Sequence, residues 1–150
     1  MAKALKSPKG QIEGQISALR VGGGLPYGER LARRLDFLLD AFEEEGEAWE
    51  KESPDSLRQM FLFLRSVPHF RCPTVTITPS ATFRAQWGAG RNSHLAIDFL
   101  PDGQVRFVVF SPDLRHPERV QRLSGIVSRL DLMRVLEAFD VHRWTADART

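Results

Sequence analysis

The sequence predicts an α+β domain in which two N-terminal helices precede an antiparallel β-meander of three to five strands and a C-terminal helix. Three observations predict this order. Apolar residues recur at helical spacing between residues 29 and 67, alternate with polar residues between 74 and 110, and return to helical spacing after Ser128. Antiparallel strands with one polar face need helices on the other face only, which favours helices packed on one side of the sheet.

The first 27 residues differ from the rest in composition. They are rich in glycine and proline and carry the basic residues Lys3, Lys6 and Lys9, so we expect residues 1–27 to form a flexible basic N-terminal arm and residues 28–150 to form a single α+β domain. Apolar residues at 12, 16 and 19 leave an alternative, a short helix that folds on a partner.

Two helices are predicted in the first half of the domain. Leu31, Leu35, Leu39 and Phe42 make one apolar stripe, and the acidic run 43–52 follows it. A second helix begins at Ser53-Pro54, since proline is favoured at the first position of a helix. The last helix begins after Ser128, a residue type that favours the N-cap.

The strands are predicted from 74–78, 82–87 and 94–110, and "RLSGIV" at 122–127 adds a further short strand. In "HLAIDFLPDGQVRFVVF", the Pro-Asp-Gly turn predicts a three-residue hairpin loop with Gly103 in the left-handed conformation. That turn sets a register in which Asp98 opposes Arg106, so we predict a structural ion pair between them. Arg84 on the preceding strand extends the row.

Metal and catalytic sites are not predicted. The single cysteine, Cys72, leaves no thiol pair, and three of the four histidines, His94, His116 and His142, are isolated in the sequence. His94 and Asp98 share one strand face, but four residues separate their backbones by about 13 Å. We therefore expect no catalytic residue, no metal ligand and no cofactor.

A binding surface is the alternative for the polar residues of the predicted sheet and its loops. The residues expected to make polar contacts or apolar anchors are Arg84, Arg91, His94, Arg106, Phe110, Arg115 and His116, with Phe63 of the second helix as a further anchor. The arginines also suit nucleic acid, although Asp98, Asp102, Asp113 and Glu118 interleave with them.

Two resemblances follow from these segments. The block 73–110 resembles short bacterial proteins to which no function is assigned. The order of two helices, an antiparallel sheet and a last helix resembles the small ribonuclease toxins of bacteria, and this resemblance implies cleavage of RNA by Arg, Lys, His or Tyr on the sheet face. The predicted sheet here has neither Lys nor Tyr.

The function expected from the sequence is that of a non-enzymatic protein-binding or regulatory module in a bacterial accessory or mobile-element system. A nucleic-acid-binding protein or a small basic ribonuclease-like toxin component is the alternative. The formal net charge is only +2, and the single cysteine and the lack of a long apolar run predict a cytoplasmic protein that does not enter membranes. Its expected partner is a protein, and self-association is a further possibility.

Overall fold

A computed structural model describes residues 7–22 and 24–146 of the chain. The helices and strands follow one another as α1 (Pro8–Arg20), α2 (Gly28–Glu44), α3 (Ser53–Ser66), β1 (Thr74–Ile77), β2 (Phe83–Ala89), β3 (Ser93–Phe99), β4 (Gln104–Pro112), β5 (Val120–Ser128), α4 (Arg129–Ala138) and α5 (His142–Thr145). The α+β class is confirmed, and the antiparallel sheet has five strands.

The five strands form a meander, because their order in the sheet is their order in the chain. Gly103 has φ +89° at the β3–β4 turn, where Leu100 N donates to Gln104 O at 3.0 Å. Asp98 pairs with Arg106 and Ile97 with Phe107 across this hairpin, so the predicted register is confirmed. This register puts the fully buried apolar residues of β3 and β4, such as Ile97 and Val109, on one face of the sheet.

The helices cover that apolar face. Phe63 of α3 is fully buried, with its ring centroid 5.7 Å from that of Phe99 and 6.2 Å from that of Trp87. The buried hydroxyl of Ser56 accepts from Phe83 N at 2.9 Å and donates to Phe99 O at 2.5 Å. This serine fixes α3 at the point where β2 begins and β3 ends. The expectation that Phe63 anchors a partner is wrong, since the core encloses it.

Three helices, rather than the predicted two, precede the sheet. Residues 8–20, expected within a flexible arm, form α1, and its Ile12, Ile16 and Leu19 are buried against α2 and α3. Their spacing puts all three on one helix face, which outweighs the glycines. Lys9 pairs with Glu43 of α2 at 2.7 Å. Lys3 and Lys6 lie outside the described residues.

The C-terminal helix of the prediction corresponds to α4, and the four-residue α5 follows it. Ser128 caps α4 by accepting from Asp131 N at 3.0 Å. Leu132 and Leu136 join the core, and Arg71 N donates to Thr145 O, which ties α5 to the segment before β1. No helix within the described residues is long and apolar enough to cross a membrane.

Tyr27, the residue before α2, has a hydroxyl group that is buried in the folded protein. Its hydroxyl is buried and has no hydrogen-bond partner within residues 7–22 and 24–146. This burial raises the pKa of Tyr27 well above its usual value, and the thiol of Cys72 contributes in the same direction. The hydroxyl therefore stays protonated in the folded protein at any pH near neutrality.

We predict that replacing Ile16 with Ala lowers the free energy of unfolding by about 2–5 kcal/mol, because the truncation leaves a cavity between α1 and its neighbours. Urea unfolding followed by tryptophan fluorescence measures the change. Ser17→Ala, on the exposed face of the same helix, is the control and should alter stability by no more than about 0.5 kcal/mol. Equal stability of Ile16→Ala and the parent chain would show that α1 is not part of the folded core.

The raised pKa of Tyr27 predicts a pH dependence of stability. An unfolded tyrosine titrates near pH 10, whereas the folded one holds its proton to higher pH. Above that pH the unfolded state alone loses the proton, so stability falls as pH rises. Tyr27 is the only tyrosine in the chain, and absorbance at about 295 nm therefore reports its ionisation alone.

In Tyr27→Phe, this part of the alkaline loss of stability should disappear, and stability at neutral pH should be unchanged or higher because a buried unpaired hydroxyl is removed. A phenol that titrates near pH 10 in the folded parent chain would contradict the assignment.

Candidate functional site

The face of the sheet opposite the helices carries the candidate site. Asp98 is the one buried residue that the described strands place on this face, and the others are half-buried or exposed. A groove of about 550 Å³ lies across the strands. We call it the sheet groove, and it is lined by Arg84, Gln86, His94, Ala96, Asp98, Arg106, Phe107, Val108, Ser124, Gly125 and Ile126.

One wall of the sheet groove is a row of residues on four adjacent strands. Arg84 pairs with Asp98, Asp98 with Arg106, and Arg106 with Ile126. Arg84 donates two hydrogen bonds to the carboxylate of Asp98. Its Nε donates to Oδ1, and its Nη2 donates to Oδ2 at a distance of 3.1 Å. Arg106 Nη1 lies 3.9 Å from Asp98 Oδ2. From the sequence, Arg106 was predicted as the ion-pair partner of Asp98, with Arg84 as a further member of the row. In the structure, Arg84 makes the closer contact with Asp98.

The two arginines of this row differ in how closely they contact Asp98 and in how exposed they are. The hydrogen bond to Asp98 raises the pKa of Arg84, so this guanidinium is charged at every accessible pH. The Asp98 side chain is only 8% exposed, whereas the Arg106 side chain is 60% exposed. Two cations therefore share one buried carboxylate, and the guanidinium of Arg106 retains donors for a further acidic group.

The second row of the open face is aromatic and basic. His94 pairs with Phe110, and Phe110 pairs with Arg122. The ring centroids of His94 and Phe110 lie 6.1 Å apart, and the guanidinium carbon of Arg122 lies 5.5 Å from the Phe110 centroid. Arg122 thus covers the phenyl ring by a cation–π contact.

The floor of the sheet groove lies between these two rows. Gln86, Ala96, Val108 and Ser124 are paired in succession across β2 to β5. Ala96 and Val108, at the centre, are short and apolar, which makes the depression between the longer side chains of the two walls. At a strand spacing of about 4.8 Å, the floor is roughly 14 Å long.

Three of the predicted binding residues lie away from the sheet groove. Arg91 is exposed in the β2–β3 loop, and Arg115 and His116 are exposed in the β4–β5 loop. Asp113 Oδ1 accepts from the backbone N–H groups of Arg115 and His116, which shapes that loop rather than a ligand site. Arg84, His94 and Arg106 are brought together in the groove, with Phe110 in the adjacent row.

The groove residues that were not predicted to belong to a site are Gln86, Ala96, Phe107, Val108, Ser124, Gly125 and Ile126. The positions of Gln86, Ala96 and Val108 on the open face could have been predicted, because these residues alternate with core residues on strands whose register was predicted. Ser124 and Ile126 need the β4–β5 register, which follows a loop without a turn motif. Arg122 begins the segment 122–127 that was predicted as a strand, and its contact with Phe110 follows from that same register.

Two histidines that are distant in sequence meet at the end of the domain. His69 Nε2 lies 2.9 Å from His142 Nδ1, and the two ring centroids are 4.9 Å apart. His142 is isolated in the sequence, and it comes close to His69 because α5 folds back on the segment before β1. Within the described residues, no three His, Cys, Asp or Glu side chains are placed to hold a metal ion.

A double-mutant cycle separates the two arginines of the Asp98 row. The cycle of Arg84→Gln with Asp98→Asn should give a coupling energy of about 1 kcal/mol, because the pair is bidentate but Arg84 is partly exposed. The cycle of Arg106→Gln with Asp98→Asn should give no more than about 0.3 kcal/mol at its longer distance. Urea unfolding of the five variants and the parent measures both, and a larger coupling for Arg106 would contradict this order.

No protein-family model, curated protein or solved structure matches the chain at a significant level. No residue role can therefore be transferred from a similar protein, and the evidence for function is the geometry of the open face.

Proposed function

We propose that the protein is a non-enzymatic binding module and that the sheet groove receives an extended, acidic segment of a protein partner. The observation that carries this proposal is the groove itself, a floor with an apolar centre beside a row in which two arginines share one buried carboxylate. Its volume of about 550 Å³ lies in the range of ligand-binding clefts.

The charge of the open face favours an anionic partner. Its strands carry Arg84, Arg106 and Arg122 against the single carboxylate of Asp98. The exposed acidic residues of 43–47 belong to the end of α2 and the turn that follows it, in the helical part of the domain. The three arginines attract an acidic segment to the open face, whereas the acidic residues of 43–47 repel it from the end of α2.

The shape of the groove favours an extended chain. A floor roughly 14 Å long accommodates about four residues at 3.3 Å per residue. Side chains on one face of such a segment contact Ala96 and Val108, while an acidic side chain on its flank reaches Arg106, which lies beside Val108 on the same strand. Arg106 can bind that carboxylate without leaving Asp98 unpaired, because Arg84 holds Asp98 with two hydrogen bonds.

Binding accounts for these side chains better than catalysis does. A general acid–base mechanism needs a histidine or carboxylate with an available proton site facing the substrate. Asp98 is taken up by two arginines, and His94 is four residues along the same strand, about 13 Å away. Among the described residues of this face, no hydroxyl is hydrogen-bonded to His94 or Asp98, as a nucleophile would be to its base.

Single-stranded nucleic acid is the second candidate, and the row of His94, Phe110 and Arg122 favours it. Aromatic side chains beside arginines provide stacking platforms for bases. Arg122, however, already covers the Phe110 ring at 5.5 Å. A base would have to displace it, so the observation favours this candidate less than the groove favours an acidic peptide.

Site-specific photocrosslinking in cells of the source organism tests the proposal. We replace Gln86, in the groove floor, with p-benzoylphenylalanine and analyse the covalent adducts after irradiation. The expected result is an adduct with a protein that resists nuclease and is reduced at least fivefold by the additional change Arg106→Glu, which reverses the charge offered to an acidic segment.

The matched control carries the same photoreactive residue at Arg33, an exposed position on α2. It should not give the same adduct. A nuclease-sensitive adduct at position 86 would support the nucleic-acid candidate instead. An adduct that is indifferent to Arg106→Glu, or that forms equally from position 33, would contradict the groove as the binding site.

A further inference from the structure

The paired histidines His69 and His142 bring two ring nitrogens together at the surface, away from the sheet groove. His69 Nε2 and His142 Nδ1 are 2.9 Å apart, much closer than the ring centroids at 4.9 Å. Each ring therefore turns a nitrogen-bearing edge towards the other instead of stacking on its face. The nitrogen of a neutral imidazole is the commonest side-chain ligand of metal ions in proteins, so this pair has the chemistry of a metal site.

The fold holds both rings in place. The ring of Phe70 is buried and contacts both imidazoles edge to face, with its centroid 5.2 Å from that of His69 and 5.7 Å from that of His142. The backbone of Phe70 also forms an antiparallel bridge with Ala146, just after α5. The two nitrogens are therefore positioned by the core, and a ligand that binds them has little conformational freedom left to remove.

We propose that His69 and His142 bind a divalent transition-metal ion, with Ni²⁺ and Cu²⁺ as the ions that fit best and water in the remaining coordination positions. At metal–nitrogen bonds of about 2.05 Å, nitrogens 2.9 Å apart subtend an angle of about 90° at the ion. Adjacent ligands in square-planar and tetragonal sites meet at this angle, and Cu²⁺ and Ni²⁺ prefer those geometries. A tetrahedral Zn²⁺ site needs the two nitrogens about 3.3 Å apart.

Binding replaces the hydrogen bond between the rings by two metal–nitrogen bonds. In the neutral pair, one ring nitrogen donates its proton to the other. The donor ring has to carry that proton on its second nitrogen before both facing lone pairs can bind the ion. This change of tautomer needs no net release of a proton, so neutral imidazoles bind the ion directly.

The charged residues around the pair are engaged elsewhere. The guanidinium of Arg71 donates to the carbonyl oxygens of Trp144 and Gly88. Arg143 pairs with Asp140 at 2.6 Å, which also keeps that carboxylate from serving as a third ligand. Two protein ligands with water in the other positions make a site from which the ion exchanges readily.

The ion joins two segments that are 73 residues apart in the sequence. The folded chain presents both nitrogens at one place, whereas the unfolded chain separates them. The ion therefore binds the folded state preferentially and stabilises the contact of α5 with the segment before β1. Neither histidine lines the sheet groove, so the two proposals are independent.

Isothermal titration calorimetry and thermal unfolding followed by circular dichroism test the proposal on the full chain without a tag. One Ni²⁺ should bind per chain, and NiCl₂ at about five times its Kd should raise Tm by about 2–4 °C. Mg²⁺ prefers oxygen ligands, so the same concentration of MgCl₂ should leave Tm unchanged. His69→Ala and His142→Ala should each weaken Ni²⁺ binding at least about tenfold and remove the shift.

His116→Ala is the matched control, because His116 is also an exposed histidine but lies in the β4–β5 loop. It should bind Ni²⁺ as the parent chain does, and so should the groove variant Arg106→Glu, which separates this proposal from the proposed function. A parent chain that binds no Ni²⁺ would overturn the site, as would a Tm shift that survives in both His69→Ala and His142→Ala.

NMR of the parent chain locates the ion without any variant. Substoichiometric Ni²⁺, which is paramagnetic in six-coordinate sites, should broaden the backbone amide signals of residues 69–71 and 142–145 before any others. Broadening centred on His94 or His116 would contradict the assignment.

Discussion

The arrangement of the open face depends on the turn at Gly103. Its positive φ allows the tight loop between β3 and β4, in which Asp102 Oδ1 also accepts from Gln104 N at 3.0 Å. A shift of one residue would move every side chain of the hairpin to the opposite face, so the turn determines which residues face the helices and which face the groove. It puts Asp98 between two arginines, where burial of a carboxylate is compensated by charge and hydrogen bonds.

Burial of Asp98 links the fold to the groove. An unpaired carboxylate at this position would lose its hydration without compensation, so at least one arginine has to remain on it. Arg84 meets that need with two donors and leaves Arg106 largely exposed. On the other face, Ser56 bonds the first residue of β2 and the last of β3 and holds α3 above this same part of the sheet. The wall of the groove is thus supported from behind by the core.

The sequence predicted this part of the structure because its determinants are local. Alternation identifies the strand faces, and the Pro-Asp-Gly turn identifies the register, so the row of Arg84, Asp98 and Arg106 follows from both. Residue type predicts the β1–β2 turn less well, because Ala81, which is not a glycine, takes φ +61° there. The preference of Asp98 for Arg84 depends on side-chain geometry across a twisted sheet. The helical spacing of Ile12, Ile16 and Leu19 is visible in the sequence, but their burial depends on α2 and α3. The contact of His69 with His142 depends on α5, so neither segment predicts it alone.

Strand β5 completes the open face. It contributes Ser124 and Ile126 to the groove with the residues that face away from the helices. Ser124 extends the floor beyond Val108, and Ile126 extends the wall beyond Arg106. The groove therefore spans four strands only because the register of β4 with β5 continues the register that the turn at Gly103 sets between β3 and β4.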